Sequence, residues 1–146
     1  MSRGGALGQS CAMPDSQLPI RVFLADDSAL IRSRVGNLLE SKGALIVGEG
    51  ETPRGCIASI LALRPDVVVL DVQLEGGTGL EVLQAVRPAA PGVAFVVFTN
   101  NSAQAYRTRY LKAGAARFLD KGSDSGQLAQ AVAVAARQPD STNANP

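Results

Sequence analysis

The sequence predicts an α/β fold: a doubly wound, five-stranded parallel sheet with helices on both faces. Three observations carry this expectation. Short apolar segments and amphipathic helical segments alternate five times. The connections between them are short. The third apolar segment, Val67-Val68-Val69-Leu70, is continuous and mostly β-branched, as a strand buried on both faces must be. A length of 146 residues fits one domain around one core, and with 46% hydrophobic but only 4% aromatic residues that core is aliphatic.

Residues 1–19, rich in Gly, Ser, Gln and Pro, read as a disordered leader. The first strand is Ile20–Ala25 and ends at two acids, Asp26 and Asp27. Ser28 can cap a first helix with an apolar stripe of Ile31, Val35, Leu38 and Leu39, closed by Gly43. Ala44–Val47 is a short second strand. Thr52-Pro53 starts a second helix, with proline at its first position, which buries Ile57, Ile60 and Leu61. The third strand stops at Asp71. A glycine-rich loop, Gly76-Gly77-Thr78-Gly79, follows it, and Thr78 with Glu81 forms a capping box for a third helix. Val93–Phe98 is a fourth strand ending at Thr99. Asn101 or Ser102 caps a fourth helix, and Gly114 ends it. Ala116–Leu119 is a fifth strand leading to Lys121. Asp124 or Ser125 caps a last helix with Leu128, Ala131, Val132 and Ala135 on one face. Residues 139–146 read as a disordered tail, which leaves 20–138 as the folded domain.

Composition excludes several function classes. Lys and Arg number 14 against 13 Asp and Glu, with no basic run, so no nucleic-acid partner is expected. The two cysteines, Cys11 and Cys56, make neither a disulfide framework nor a metal motif and read as free thiols. Histidine is absent, which removes imidazole catalysis and any phosphohistidine on this chain. No apolar run could span a bilayer and no signal peptide is visible, so no membrane partner is expected and the localisation is cytoplasmic.

The chemistry lies at the strand ends. With strand order 2-1-3-4-5, strands one and three are neighbours at the switch point of the sheet, where ligands bind in open α/β folds. Asp26, Asp27 and Asp71 then converge, flanked by Thr99 and Lys121. Crowded carboxylates repel by a few kcal/mol per close pair at an effective dielectric of about 20. A hard cation such as Mg²⁺ relieves this, and Lys121 adds a fixed positive charge. Such a site suits a phosphoryl group on Asp71 better than acid–base catalysis.

These residues resemble the receiver domain of two-component response regulators. The matching features are the pair Asp26-Asp27, the central Asp71, Thr99, and Phe118 three residues before Lys121, together with RPDVVVLDVQL, GGTGLEVL and AGAARFLDKGS. The resemblance implies a flavodoxin-like, CheY-like fold. It implies that Asp71 is the phosphoacceptor, and that Asp26, Asp27, Asp71 and the backbone carbonyl of Gln73 hold Mg²⁺. Thr99 and Lys121 bind the phosphoryl oxygens, and Thr99 and Phe118 form a switch. The fourth helix, fifth strand and fifth helix, with Tyr106, Arg107, Tyr110 and Arg117, form the partner face and the expected face of a homodimer. The donor is a sensor histidine kinase or phosphotransfer protein, and an unknown downstream protein is the target. By spacing alone, Tyr106 and Tyr110 read as packing residues.

The chain departs from the common pattern at Glu75 and Gly122, where many members have proline, and at Asn100, where a smaller residue is usual. Gln73 and Asn101 are amides at positions that tune hydrolysis of the phosphoryl group. Amides position water but cannot act as bases, so slow autodephosphorylation is expected. The expectation is a stand-alone, phosphorylatable receiver that catalyses only its own phosphorylation and dephosphorylation. The alternative is a phosphorylation-independent scaffold or interaction module. An aspartate-nucleophile phosphatase ranks lower, because its second acid would fall at Ser28.

Overall fold

The computed structural model describes residues 18–137. The expected tail, and all of the expected leader except Leu18 and Pro19, lie outside the described residues. The strands are β1 (Arg21–Ala25), β2 (Leu45–Gly50), β3 (Val67–Leu70), β4 (Gln73–Leu74), β5 (Gly77–Thr78), β6 (Ala94–Thr99) and β7 (Arg117–Asp120). The helices are α1 (Ala29–Ser41), α2 (Pro53–Leu63), α3 (Gly79–Ala89), α4 (Gln104–Lys112) and α5 (Leu128–Arg137). The main sheet has five parallel strands in the order β2-β1-β3-β6-β7, which is the expected 2-1-3-4-5 arrangement. A small antiparallel hairpin, β4 with β5, was not expected; it forms inside the glycine-rich loop, where Gly76 at φ 81° makes the turn.

Alternation along the strands divides the interior in two. Phe23, Val68, Leu70, Phe95, Val97 and Phe118 face one side, against Ile60 of α2 and Leu83 of α3. Val22, Leu24, Val67, Val69, Val96 and Leu119 face the other, against Leu39 of α1 and Val132 of α5. β3 is fully buried on both faces, as its composition requires. Cys56 of α2 is wholly buried, and desolvation raises its thiol pKa to about 11.

The first three helices start as the sequence predicts. Ser28 accepts the N–H of Ile31, Thr52 that of Gly55, and Thr78 and Glu81 complete a capping box. The fourth does not. α4 begins after Ala103 with no side-chain cap; neither Ser102 nor Asn101, whose backbone N–H is turned back onto Thr99 Oγ1 at 3.1 Å, caps it. The last helix is preceded by a 3₁₀ turn at Ser125–Gln127, and Asp124 spends its carboxylate on Asp120 N–H at 2.9 Å and on Gln127 Nε2 at 3.3 Å. The apolar face expected for α5 is buried at all four positions: Leu128, Ala131, Val132 and Ala135.

Candidate functional site

The parallel ladder brings the strand ends to one rim. Ala25 stands opposite Leu70, and Thr99 opposite Asp120. Three backbone bonds extend the ladder beyond the strands: Asp26 N to Gly50 O at 3.1 Å, Asp71 N to Ala25 O at 2.9 Å, and Lys121 N to Thr99 O at 2.9 Å. The acids and the lysine therefore leave the sheet at one level. The Lys121 ammonium donates to Asp26 Oδ2 at 2.8 Å and to Asp71 Oδ2 at 2.9 Å. Asp26, Asp27 and Asp71 each offer a carboxylate oxygen within 4.8 Å of the others. Asp26 and Asp71 are buried; Asp27 is exposed.

Burial pushes the Asp26 carboxyl above its ordinary value, and the Asp71 charge adds to that, against hydrogen bonds from Lys121 and the Ser28 N–H. Burial also works against the charge of Lys121. The hydrogen bonds and charges of Asp26 and Asp71 outweigh it, so Lys121 titrates above a free lysine. One ammonium thus answers two of the three carboxylates. The donor set is all oxygen, with no thiol or imidazole, and one of its acids faces solvent; this fits a hard divalent cation such as Mg²⁺.

Gln73 is placed by its backbone: its N–H approaches Asp71 Oδ1 at 3.4 Å, while its side chain is exposed. Asn101 is also exposed, beside Gln73 and Tyr106 along a cleft of about 240 Å³. Thr99 is fully buried, with its hydroxyl oxygen held by Asn101 N–H. Phe118 is buried, edge-on to Tyr110 with centroids 6.1 Å apart, and the Arg107 guanidinium lies 5.0 Å from its ring centre. Arg107 also donates to Phe118 O at 3.1 Å.

The expected partner face needs one correction. Tyr110 is not on a surface: it is 1% exposed, and its hydroxyl donates to Val72 O at 3.5 Å. It packs on Phe118 and belongs to the core, as its spacing alone suggested. Tyr106 is exposed, while Arg107 and Arg117 are partly so, the latter donating to Gln127 Oε1 at 3.2 Å.

Two contributors were missed. Arg32 donates to the backbone oxygen of Asp26 at 2.6 Å and to Glu49 at 2.9 Å, with Glu51 at 3.8 Å, so these two acids help clamp the end of β1. Gly79 donates its N–H to Val72 O at 2.8 Å, and a Cβ there would collide with the backbone oxygen of Asp71. The glycine run was visible; which glycine abuts Asp71 was not, because the approach comes from the β4–β5 hairpin.

Comparison with known proteins agrees with this geometry. The family model for the response regulator receiver domain matches residues 22–133. Response regulator GacA of Pseudomonas aeruginosa is 32% identical over 114 residues, covering 77% of this chain and 53% of that protein. The chain thus spans about half the length of such curated relatives. The receiver domain of the response regulator NarL from Mycobacterium tuberculosis superposes with a TM-score of 0.77 at 30% identity, covering 83% of this chain and 98% of that one. The fold is shared with CheY in a CheX–CheY–BeF₃–Mg²⁺ complex from Borrelia burgdorferi, at a TM-score of 0.75 and 19% identity over 81% of this chain and 90% of that one. Among the described residues no helix is long and apolar enough to cross a membrane. The chain belongs to the response regulator receiver family.

Proposed function

We propose that this chain accepts a phosphoryl group on Asp71 from a phosphohistidine of a separate sensor histidine kinase or phosphotransfer protein. The observation that carries this reading is the Lys121 ammonium bridging Asp26 and Asp71, with Asp27 completing an oxygen cluster. In the transfer, a carboxylate oxygen of Asp71 forms a bond to phosphorus as the donor's P–N bond breaks. The imidazole leaves with the electron pair and takes a proton from water. Asp26, Asp27, Asp71 and the Gln73 carbonyl would hold Mg²⁺, which when bound would neutralise charge on the phosphoryl oxygens. Lys121 shifts from the Asp71 carboxylate to the added anion. The Thr99 hydroxyl, whose oxygen accepts the Asn101 N–H, donates its proton to a phosphoryl oxygen.

The signal follows from packing. A movement of Thr99 alters the space beside β7, and Phe118 with its Tyr110 and Arg107 neighbours repacks between two arrangements. The surface of α4, β7 and α5, through Tyr106, Arg107 and Arg117, then meets a downstream protein or a second copy in the cytoplasm. The chain turns over no other substrate, and the amides Gln73 and Asn101 leave its own dephosphorylation slow.

Incubation with acetyl phosphate and Mg²⁺, followed by intact mass, tests the central step. Wild type gains one phosphate; Asp71→Asn and metal-free wild type gain none. Equal labelling of Asp71→Asn, or none in wild type, overturns the reading and leaves a phosphorylation-independent interaction module.

A further inference from the structure

Lys121 sits on a turn rather than in a strand, and nothing in its own side chain aims it. A lysine has a long stem with about 2 kcal/mol of rotamer entropy, so its reach depends on where the backbone anchors it. In this chain Gly122 follows Lys121, so no proline ring stiffens the turn. The turn is instead held by side chains. Asp120 Oδ1 accepts the N–H of Gly122 at 2.7 Å and of Ser123 at 3.0 Å. Asp124 Oδ2 accepts the N–H of Asp120 at 2.9 Å, and Asp124 N–H donates to Asp120 O at 2.8 Å. With Lys121 N–H on Thr99 O, every amide from Asp120 to Asp124 is taken. A Cβ on Gly122 would stand 3.1 Å from Asp120 Oδ1, so the carboxylate fits closely over a residue without a side chain. The Ser102 hydroxyl, on the loop after β6, favours the charged form of the same carboxylate. These bonds hold the Asp120 carboxyl below its ordinary range, so it is an anion at neutral pH.

We propose that Asp120 is the positioning residue for Lys121: its carboxylate folds the 120–124 turn so that the ammonium reaches Asp26 and Asp71. The inference rests on the proposed phosphoacceptor role of Asp71. Asp120 touches neither phosphate nor metal. It acts by presenting Lys121, so its loss weakens binding of the phosphoryl mimic without weakening binding of the cation. Asparagine keeps the oxygen that receives both amides; alanine does not.

The test titrates Mg²⁺ alone, and beryllofluoride at saturating Mg²⁺, by calorimetry into wild type, Asp120→Ala, Asp120→Asn, Lys121→Ala and the Asp120→Ala/Lys121→Ala double variant. Circular dichroism checks folding. Asp120→Ala is expected to bind beryllofluoride about tenfold more weakly. Its Mg²⁺ affinity should not fall, since a displaced ammonium leaves Asp26 and Asp71 freer for the cation, and Asp120→Asn should recover most of the beryllofluoride loss. The double variant should be no weaker than Lys121→Ala, because the two act through one group. Three outcomes overturn the inference: an Asp120→Ala variant that binds like wild type, losses that add in the double variant, or an Asp120→Asn variant as weak as alanine, which assigns the effect to charge. If Asp120→Ala does not fold, the asparagine variant decides alone: binding near wild type sustains the inference, and a tenfold loss ends it. Wild type that binds no beryllofluoride defeats the phosphoacceptor reading and this inference with it, whereas normal wild-type binding with an unaffected Asp120→Ala defeats the inference only.

Discussion

Tyr110 and Tyr106 sit one helical turn apart and have opposite fates. Tyr106 rims the cleft beside Gln73 and Asn101, while Tyr110 is sealed against Val72 and Phe118. Burial raises the Tyr110 phenol to about 12. Below pH 10 the phenol is protonated in both folded and unfolded chains, and the stabilisation is complete. Above pH 10 the unfolded chain ionises first and binds fewer protons, so stability falls until the folded value near 12 is passed. The total loss attributable to this residue is about 3 kcal/mol. Denaturant melts across pH 9–12 should show a larger fall in wild type than in Tyr110→Phe by about this amount, the fall that remains in the variant coming from groups such as Cys56 and Lys121. The acids and Lys121 were legible because each lies at the end of an apolar run, a position that sequence displays directly. The burial of Tyr110 was not legible as a site property, because it depends on a contact with Val72, 38 residues away.

At the scale of elements, the loop between β3 and α3 sets the position of Asp71. Its two ends are pinned: Thr78 and Glu81 cap α3, and Gly79 touches the Asp71 backbone. Gly79→Ala forces the Asp71 backbone to shift, because the overlap is with main chain and not with a yielding side chain. Destabilisation of about 2 kcal/mol is expected from such overpacking. The rate of phosphorylation by acetyl phosphate should fall more than stability accounts for, and urea melts paired with initial-rate mass spectrometry measure both. Helix starts with a serine or threonine before the apolar stripe were readable. The start of α4 was not, since neither Asn101 nor Ser102 caps it and the Asn101 N–H turns back onto Thr99. Local propensity yielded there to a bond that closes the end of β6.

At the scale of the whole molecule, the sheet order could be read because alternating strands and helices with short crossovers leave few parallel topologies. The hairpin β4–β5 could not, as two-residue strands carry no periodicity. If the crowded Asp26, Asp27 and Asp71 hold the proposed cation, folding is linked to its binding. A ligand that binds only the folded chain stabilises it by about 2.7 kcal/mol at a hundredfold excess over its Kd. Mg²⁺ should therefore raise the melting temperature of wild type, EDTA should reverse the rise, and Asp27→Ala should lose most of it. Differential scanning fluorimetry measures all three; a melting temperature indifferent to Mg²⁺ would count against the cation site.

The sulfur of Cys56 makes the molecule its own clock. It is sealed under α2, and its raised pKa of about 11 leaves almost no thiolate at neutral pH. In a Cys11→Ser background, an alkylating reagent can reach it only when that layer lifts from the sheet. The speed of labelling then counts such breathing events, and comparing it with and without Mg²⁺ and beryllofluoride tells whether tension at the acidic rim is felt beneath α2.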